Sequence, residues 1–356
     1  MTEPIRKEHR NVEFPGAAWT AFDRYSRYGA IVRALRATLG TGSLRVLDVG
    51  DGAGYLSSFD PDLVAVSVDL HPTPDPLSGT VRMAADGTHL PFLDGTFDAV
   101  VSSDALEHVP PALRADFIAE LARTSRELVL LAAPFDTPGV AGAEELVRRF
   151  VLLVTGSAQE QLEEHRDHGL PGVDDTTARF SELGMQVAVA GAGNLHDWLA
   201  MMLLKHQLVA RPTLAPLDTG YDIAYNWLFA GRDHVPPFYR HLIAAGRSAT
   251  PSFGDPQPLD ESAADGIAGL LAVFTAANVA EAVRQDTDAR LAATERMVAE
   301  VAPRLSAIED AVARLDTRSE GIEASLAHLL QLVRHPMATA ADKVRRRLPG
   351  GRKPRS

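Results

Sequence analysis

No cysteine occurs among the 356 residues, and that single absence removes disulfides, thiolate nucleophiles and cysteine-held metals together. Lysine is nearly missing too, with four against 31 arginines, a bias that reads as genomic base composition rather than chemistry. No apolar run approaches the roughly 20 residues that a membrane-spanning helix needs. The opening stretch "MTEPIRKEHRNVEF" has charge but no apolar centre, so no secretory signal is expected. These absences predict a cytoplasmic chain in reducing surroundings. What remains is ordinary: 46% hydrophobic and 23% charged residues, in a length that accommodates two or three folded units.

Charge is unevenly placed. Residues 334–356 hold eight Lys or Arg against the lone acid Asp342, so this tail carries +7 while the other 333 residues carry −19. The acidic body argues against nucleic acid as a partner. The basic tail predicts contact with an anionic membrane surface, which would hold the chain at the inner face of the cell membrane as a peripheral protein. Met337, Ala340, Ala341, Val344 and Leu348 would form the apolar side of such a tail helix, with a solubilising tail as the alternative.

Four short runs, "LRVLDVG", "LVAVSVDL", "FDAVVSS" and "ELVLLAAP", are apolar without polar alternation, as strands buried on both faces of a parallel sheet are. Between the last two, "PPALRADFIAELARTS" has helical spacing and a proline start. This βαβ alternation predicts a doubly wound α/β domain. From Asp136 to about Gly246 the pattern reads as mostly helical, with one further strand at "MQVAVAG" and no convincing final strand. The boundaries expected are a helical leader over 1–40, the α/β domain with a helical cap over 41–246 and a Pro/Ser-rich linker over 247–264. A coiled-coil helix over 265–335 and a basic amphipathic tail over 336–356 follow.

The coil rests on Val298, Val301, Leu305, Ile308, Val312, Leu315, Ser319, Ile322, Leu326, Leu329 and Val333, which step by threes and fours. Arg304 with Glu309, and Arg318 with Glu323, add opposite charges at the flanking positions of a parallel pair. Self-association through 298–333 is therefore expected, with a long helix folded back on the domain as the alternative.

The first strand breaks into "VGDGAG", with Gly50, Gly52 and Gly54 on alternate positions before a helix-length segment. Strand, glycine turn, helix is how a chain brings bare backbone N–H groups against a ligand. The spacing differs from the G-x-G-x-x-G of dinucleotide-binding folds, and Asp69 ends the second strand 21 residues after Asp48, placed to accept ribose hydroxyls. Taken with "AADGTHLPFLDGTFDAVVSSDALEHV", the pattern over residues 20–190 resembles the class I S-adenosylmethionine-dependent methyltransferases. That resemblance implies a Rossmann-like sheet and S-adenosyl-L-methionine as cofactor. It implies Asp48, Gly50, Gly52 and Gly54 around the methionine part, Asp69 at the ribose, Asp86 with Gly87 and Thr88 at the adenine, and Ser103 beside the sulfonium. Position 51 is an aspartate where relatives often have a small residue, so either a cation from Arg24 or Arg27 compensates it, or it is a solvated turn residue.

A hydroxyl acceptor needs a base, and histidine is the usual one. His165 and His168, crowded by acids in the turn "EEHRDHGLP", are the leading candidates. His108, just past the fourth strand, is the third, with a plain hydrogen-bonded helix start as its alternative. No known metal-ligand spacing recurs, so no metal is expected. The run "HDWLAMMLLKHQL" reads as core or as a wall of the acceptor pocket. Residues 134–246 also resemble methyltransferases encoded among bacterial glycosyltransferases in surface-polysaccharide clusters, whose relatives join such a domain to a coiled coil and a basic end. This implies O-methylation of a sugar hydroxyl on a cell-surface glycan or its lipid-linked precursor. The alternatives are a small-molecule acceptor and a non-catalytic scaffold.

Overall fold

The computed structural model describes residues 19–73, 81–210 and 215–256, with isolated helical positions between 291 and 331. Met1–Val279 and Ala280–Ser356 separate as two compact units, and every element below belongs to the first. The seam positions of 298–333 and the basic tail 334–356 lie outside the described residues. Among the described residues, no helix is long and apolar enough to cross a membrane.

Seven strands form one sheet: β1 (Leu44–Val49), β2 (Leu63–Asp69), β3 (Val81–Ala84), β4 (Phe97–Ser103), β5 (Ser125–Pro134), β6 (Gln186–Asn194) and β7 (Phe238–Gly246). Their order is β3-β2-β1-β4-β5-β7-β6. The first five run parallel, and β7 lies antiparallel to both β5 and β6. The central strands are apolar on both faces because both are covered. Leu47, Val100, Val129, Leu131 and Ile243 face one cluster with Phe117, Leu121 and Phe180, which lie on α3 (Arg114–Thr124) and α6 (Val173–Glu182). Their neighbours in the strands, Val46, Val101, Leu128, Leu130 and Leu242, face Tyr28, Ile31 and Leu35 of α1 (Phe22–Leu39) and Leu56 of α2 (Leu56–Phe59). Each such fully buried Leu or Val contributes about 1.5–3 kcal/mol by leaving water.

A third cluster stands over the carboxyl side of the sheet. It joins Val140, Ala143 and Val147 of α4 (Val140–Thr155), Leu162 of α5 (Glu160–His168), and Leu195 and Trp198 of α7 (Leu195–Val209). Tyr225 of α8 (Asp218–Leu228) and Tyr239 of β7 complete it. The Met- and Trp-bearing run is therefore α7, and it packs as core. Asn194 caps this helix, its side-chain oxygen accepting from the backbone N–H of His196 and Asp197 at 3.0 Å.

Several expectations are corrected. The final strand exists: it is β7, concealed in the sequence because it carries Arg240 and His241 in its interior. The four-residue edge strand β3 was not anticipated. The "EEHRDHG" stretch is the helix α5, not a turn. α1, the helix expected within 1–40, packs on the sheet, and its Tyr28, Ile31 and Leu35 are among the most buried side chains. Nor is the start of the 247–264 segment a free linker. Ser252 exchanges two 3.0 Å hydrogen bonds with Thr38 of α1, and Phe253 packs beside it.

Candidate active site

The glycine turn sits at the carboxyl end of β1, where open α/β sheets bind ligands. Gly50 has φ +96°, and a Cβ there would lie 2.5 Å from the Cβ of Ala105. Glycine at 50 is thus demanded by the fold, which presses the turn after β4 onto the glycine loop. Gly52 differs: a Cβ would meet ordinary contacts of 3.5–3.6 Å, one of them the carboxylate carbon of Asp69. Nothing in the packing requires glycine at 52. Gly87 is explained by packing, because a Cβ would strike the Phe117 ring at 2.4 Å.

Asp48 is buried, accepts a 3.0 Å hydrogen bond from the Tyr28 hydroxyl through Oδ2, and leaves Oδ1 without a partner. Burial, and then the neighbouring Asp51, push its carboxyl well above the usual range. Asp51 settles differently from either expectation. It is buried rather than solvated, and its carboxylate accepts from the backbone N–H of Ala53 at 3.0 Å and Tyr55 at 2.5 Å. Arg24 lies over the Tyr55 ring at 3.7 Å, and Arg27 is committed to Asp104. Asp51 therefore shapes the loop through its own amides. Asp69 ends β2 as expected, with Oδ1 accepting from His71 N–H at 2.7 Å. Asp86 accepts from both the N–H and hydroxyl of Thr88 at 2.8 and 2.7 Å, and these bonds lower its carboxyl. Ser103 ends β4 with its hydroxyl buried and unpartnered.

Past Ser103, a buried ion network anchors the turn. Asp104 takes both forks of Arg240 from β7 at 2.6 and 2.5 Å and also Arg27 from α1 at 2.5 Å, while Arg240 reaches Asp23 at 2.6 Å. Burial opposes ionisation of Asp104, but the two guanidinium groups outweigh it and hold the carboxyl well below the usual range. None of this network was foreseen, because its members are scattered through the chain.

The short 3-10 turn Leu106–His108 follows, and it delivers His108 to α5. His108 Nδ1 lies 2.6 Å from Glu164 Oε2, and His165 Nδ1 lies 3.0 Å from Glu144 Oε1. The two Nε2 atoms face each other at 3.4 Å, although 57 residues separate the rings in the chain. Tyr239 donates to Glu144 Oε1 at 2.8 Å and is itself stacked on Trp198 at 3.7 Å. The aromatic stack thus positions Glu144, and Glu144 positions His165. Burial, then His165, lower the pKa of His108. Glu107 is buried with Oε2 unpartnered, and burial, then Asp104, raise its carboxyl well above the usual range. Of the three candidate bases, the structure unites His108 and His165. His168 ends α5 outside this pair, with its Nδ1 buried and unpartnered. Glu107 and Glu144 were missed; Glu107 stands beside His108 in "EHV", but no spacing in the sequence marks Glu144.

A cavity of about 320 Å³ opens beside His165, lined by Asp136, Glu144, Arg148, Leu162, His165 and Leu170 among others. A larger one of about 540 Å³, near Asp94, Arg123 and Arg126, lies at the amino edge of the sheet, away from these side chains.

Residues 47–131, from β1 through β5, match the family model described as "Methyltransferase domain". That match spans 85 of the 356 residues. An uncharacterized methyltransferase of Mycolicibacterium gilvum is 39% identical over 85 residues, covering 21% of this chain and 33% of that protein. A demethylmenaquinone methyltransferase of Beutenbergia cavernae is 36% identical over 123 residues, covering 34% and 47%. The chain thus spans about a third to a half of the length of the curated relatives it matches. Among solved structures, the chain is similar to magnesium protoporphyrin IX methyltransferase from Synechocystis PCC 6803 with bound SAH. That likeness has 16% identity and a TM-score of 0.39, over 64% of this chain and 84% of the other.

Proposed function

We propose that the chain transfers a methyl group from S-adenosylmethionine to a hydroxyl of a glycan or of its lipid-linked precursor. The observation that carries methyl transfer is the carboxyl edge of β1, β2 and β4. A bare Gly52 faces the Asp69 carboxylate there, with the orphaned Asp48 Oδ1 on β1 and the orphaned Ser103 hydroxyl at the end of the adjoining β4. These groups suit a ligand bearing ribose hydroxyls and an ammonium. Asp69 would accept the ribose hydroxyls, Asp48 would face the amino-acid part, and Asp86 with Gly87 and Thr88 would border the adenine. Bound there, the cofactor supplies an already activated methyl carbon, so the protein's task is alignment and proton removal.

His165, held by Glu144, and His108, held by Glu164, present basic Nε2 atoms at the end of the turn that presses on the glycine loop. A carboxylate behind each imidazole stabilises the charged ring after it takes a proton. The cavity beside His165 is lined by Asp136, Glu144 and Arg148 as well as Leu162 and Leu170, a mixture suited to a polyhydroxylated acceptor. A labelled-methyl screen against extracted cell-surface glycans and lipid-linked sugars tests this reading. Label in a small lipid-soluble quinone alone would transfer the proposal to the second acceptor class, which the partial likeness to a demethylmenaquinone methyltransferase favours.

A further inference from the structure

We infer that His108, His165 and Glu107 form a binding site for one divalent transition cation of the zinc class. One ligand atom from each lies within 4.8 Å of the others. The argument turns on where the ring protons are. Each Nδ1 is within hydrogen-bond reach of a carboxylate, Glu164 for His108 and Glu144 for His165, so each neutral ring carries its proton on Nδ1. Both Nε2 atoms then present lone pairs to each other across 3.4 Å. Such a pair repels unless a cation or a shared proton lies between.

The spacing fits a metal. Two nitrogens bound at about 2.0–2.1 Å to a tetrahedral zinc are separated by about 3.3–3.4 Å. Carboxylates behind both imidazoles complete the outer arrangement that metal-binding histidines use, and Tyr239 fixes one of them. The third ligand supplies the independent observation. Glu107 is a carboxylate with 1% exposure and an oxygen lacking any hydrogen-bond partner. A carboxylate is not left so in a core without a counter-charge or a proton. His108 and Glu164 are partly exposed, which gives a route in. Two imidazoles and one carboxylate leave a fourth position for an oxygen ligand from solvent; with the cation bound both Nε2 atoms are occupied, and the base role proposed above belongs to the metal-free protein. The site itself stands on these side chains and needs no methyl donor.

The test uses the full chain, freed of metal by chelation, without S-adenosylmethionine. Calorimetric titration with Zn2+ should show one cation per chain, and Co2+ should give the intense visible absorption of a tetrahedral centre. His108→Ala, at a partly exposed position, should lose affinity at least about 100-fold, and Glu144→Gln about 10- to 100-fold. Thermal melts without metal show that each variant folds; a variant that fails is replaced by His165→Gln. Absence of binding to the wild type, or equal binding to His108→Ala, overturns the site and leaves a shared proton as the link between the rings. Neither result touches the cofactor reading, which is measured separately.

Discussion

Arg240 and Asp104 meet through two parallel hydrogen bonds of 2.6 and 2.5 Å across 136 residues of sequence. Arg240 is 3% exposed, and Asp104 is the one non-glycine residue with positive φ, 48°, among those described. The bond ties the antiparallel strand β7 to the turn that presses on the glycine loop. Asp104→Asn removes one partner of a buried pair and should cost about 3–5 kcal/mol in denaturant unfolding near pH 7. The folded carboxyl is depressed, so its stabilisation is present above about pH 4 and is lost as pH falls through the folded value. The deficit of the variant should therefore shrink in strongly acid solution; a deficit independent of pH contradicts the ion-pair account.

The two central glycines should separate fold from ligand. Gly50→Ala combines a left-handed φ with a 2.5 Å collision, and should lose about 2 kcal/mol or more of stability. Gly52→Ala has room for its methyl group, and should keep wild-type stability within about 1 kcal/mol. It should nevertheless weaken S-adenosylmethionine by at least about tenfold, equivalent to about 1.4 kcal/mol. Melts and calorimetry on the two proteins decide this.

If Asp48 faces the amino-acid part of the cofactor as proposed, cofactor affinity should depend on pH. Burial, then Asp51, raise its folded pKa, so below that value the group is neutral and must release a proton to face an ammonium. Affinity should fall with decreasing pH, approaching about tenfold per unit, and Asp48→Asn should flatten the profile at a lower affinity. The same raised pKa means that the folded chain binds more protons than the unfolded one. This group's contribution to stability therefore declines as pH rises toward the folded value.

His165→Ala should reduce methyl transfer at least about 100-fold once an acceptor is in hand. His168→Ala, outside the His108–His165 pair, should leave the rate close to wild type. Equal losses in both would restore His168 to the chemistry.

The parallel half of the sheet was legible because burial on both faces leaves continuous apolar runs, and the glycine turn with Asp69 and Asp86 is local in sequence. β7 was not legible. Its Arg240 is buried only because Asp104 and Asp23 reach it from distant segments, and no window of sequence shows that compensation. β3 is too short and too exposed to leave a pattern. The histidine pair was half legible: each ring was a candidate alone, but their meeting depends on α5 packing against the 3-10 turn after β4. Asp51 illustrates the remaining difficulty. Its carboxylate is spent on amides two and four residues ahead, a local arrangement that composition does not reveal.

Calorimetric titration of the full chain with S-adenosylmethionine tests the central claim most directly, with Asp69→Ala beside the wild type. One site per chain in the micromolar range, weakened at least about tenfold by Asp69→Ala, is the expected result. No heat at millimolar cofactor, or binding indifferent to Asp69, would contradict methyl transfer at this edge of the sheet.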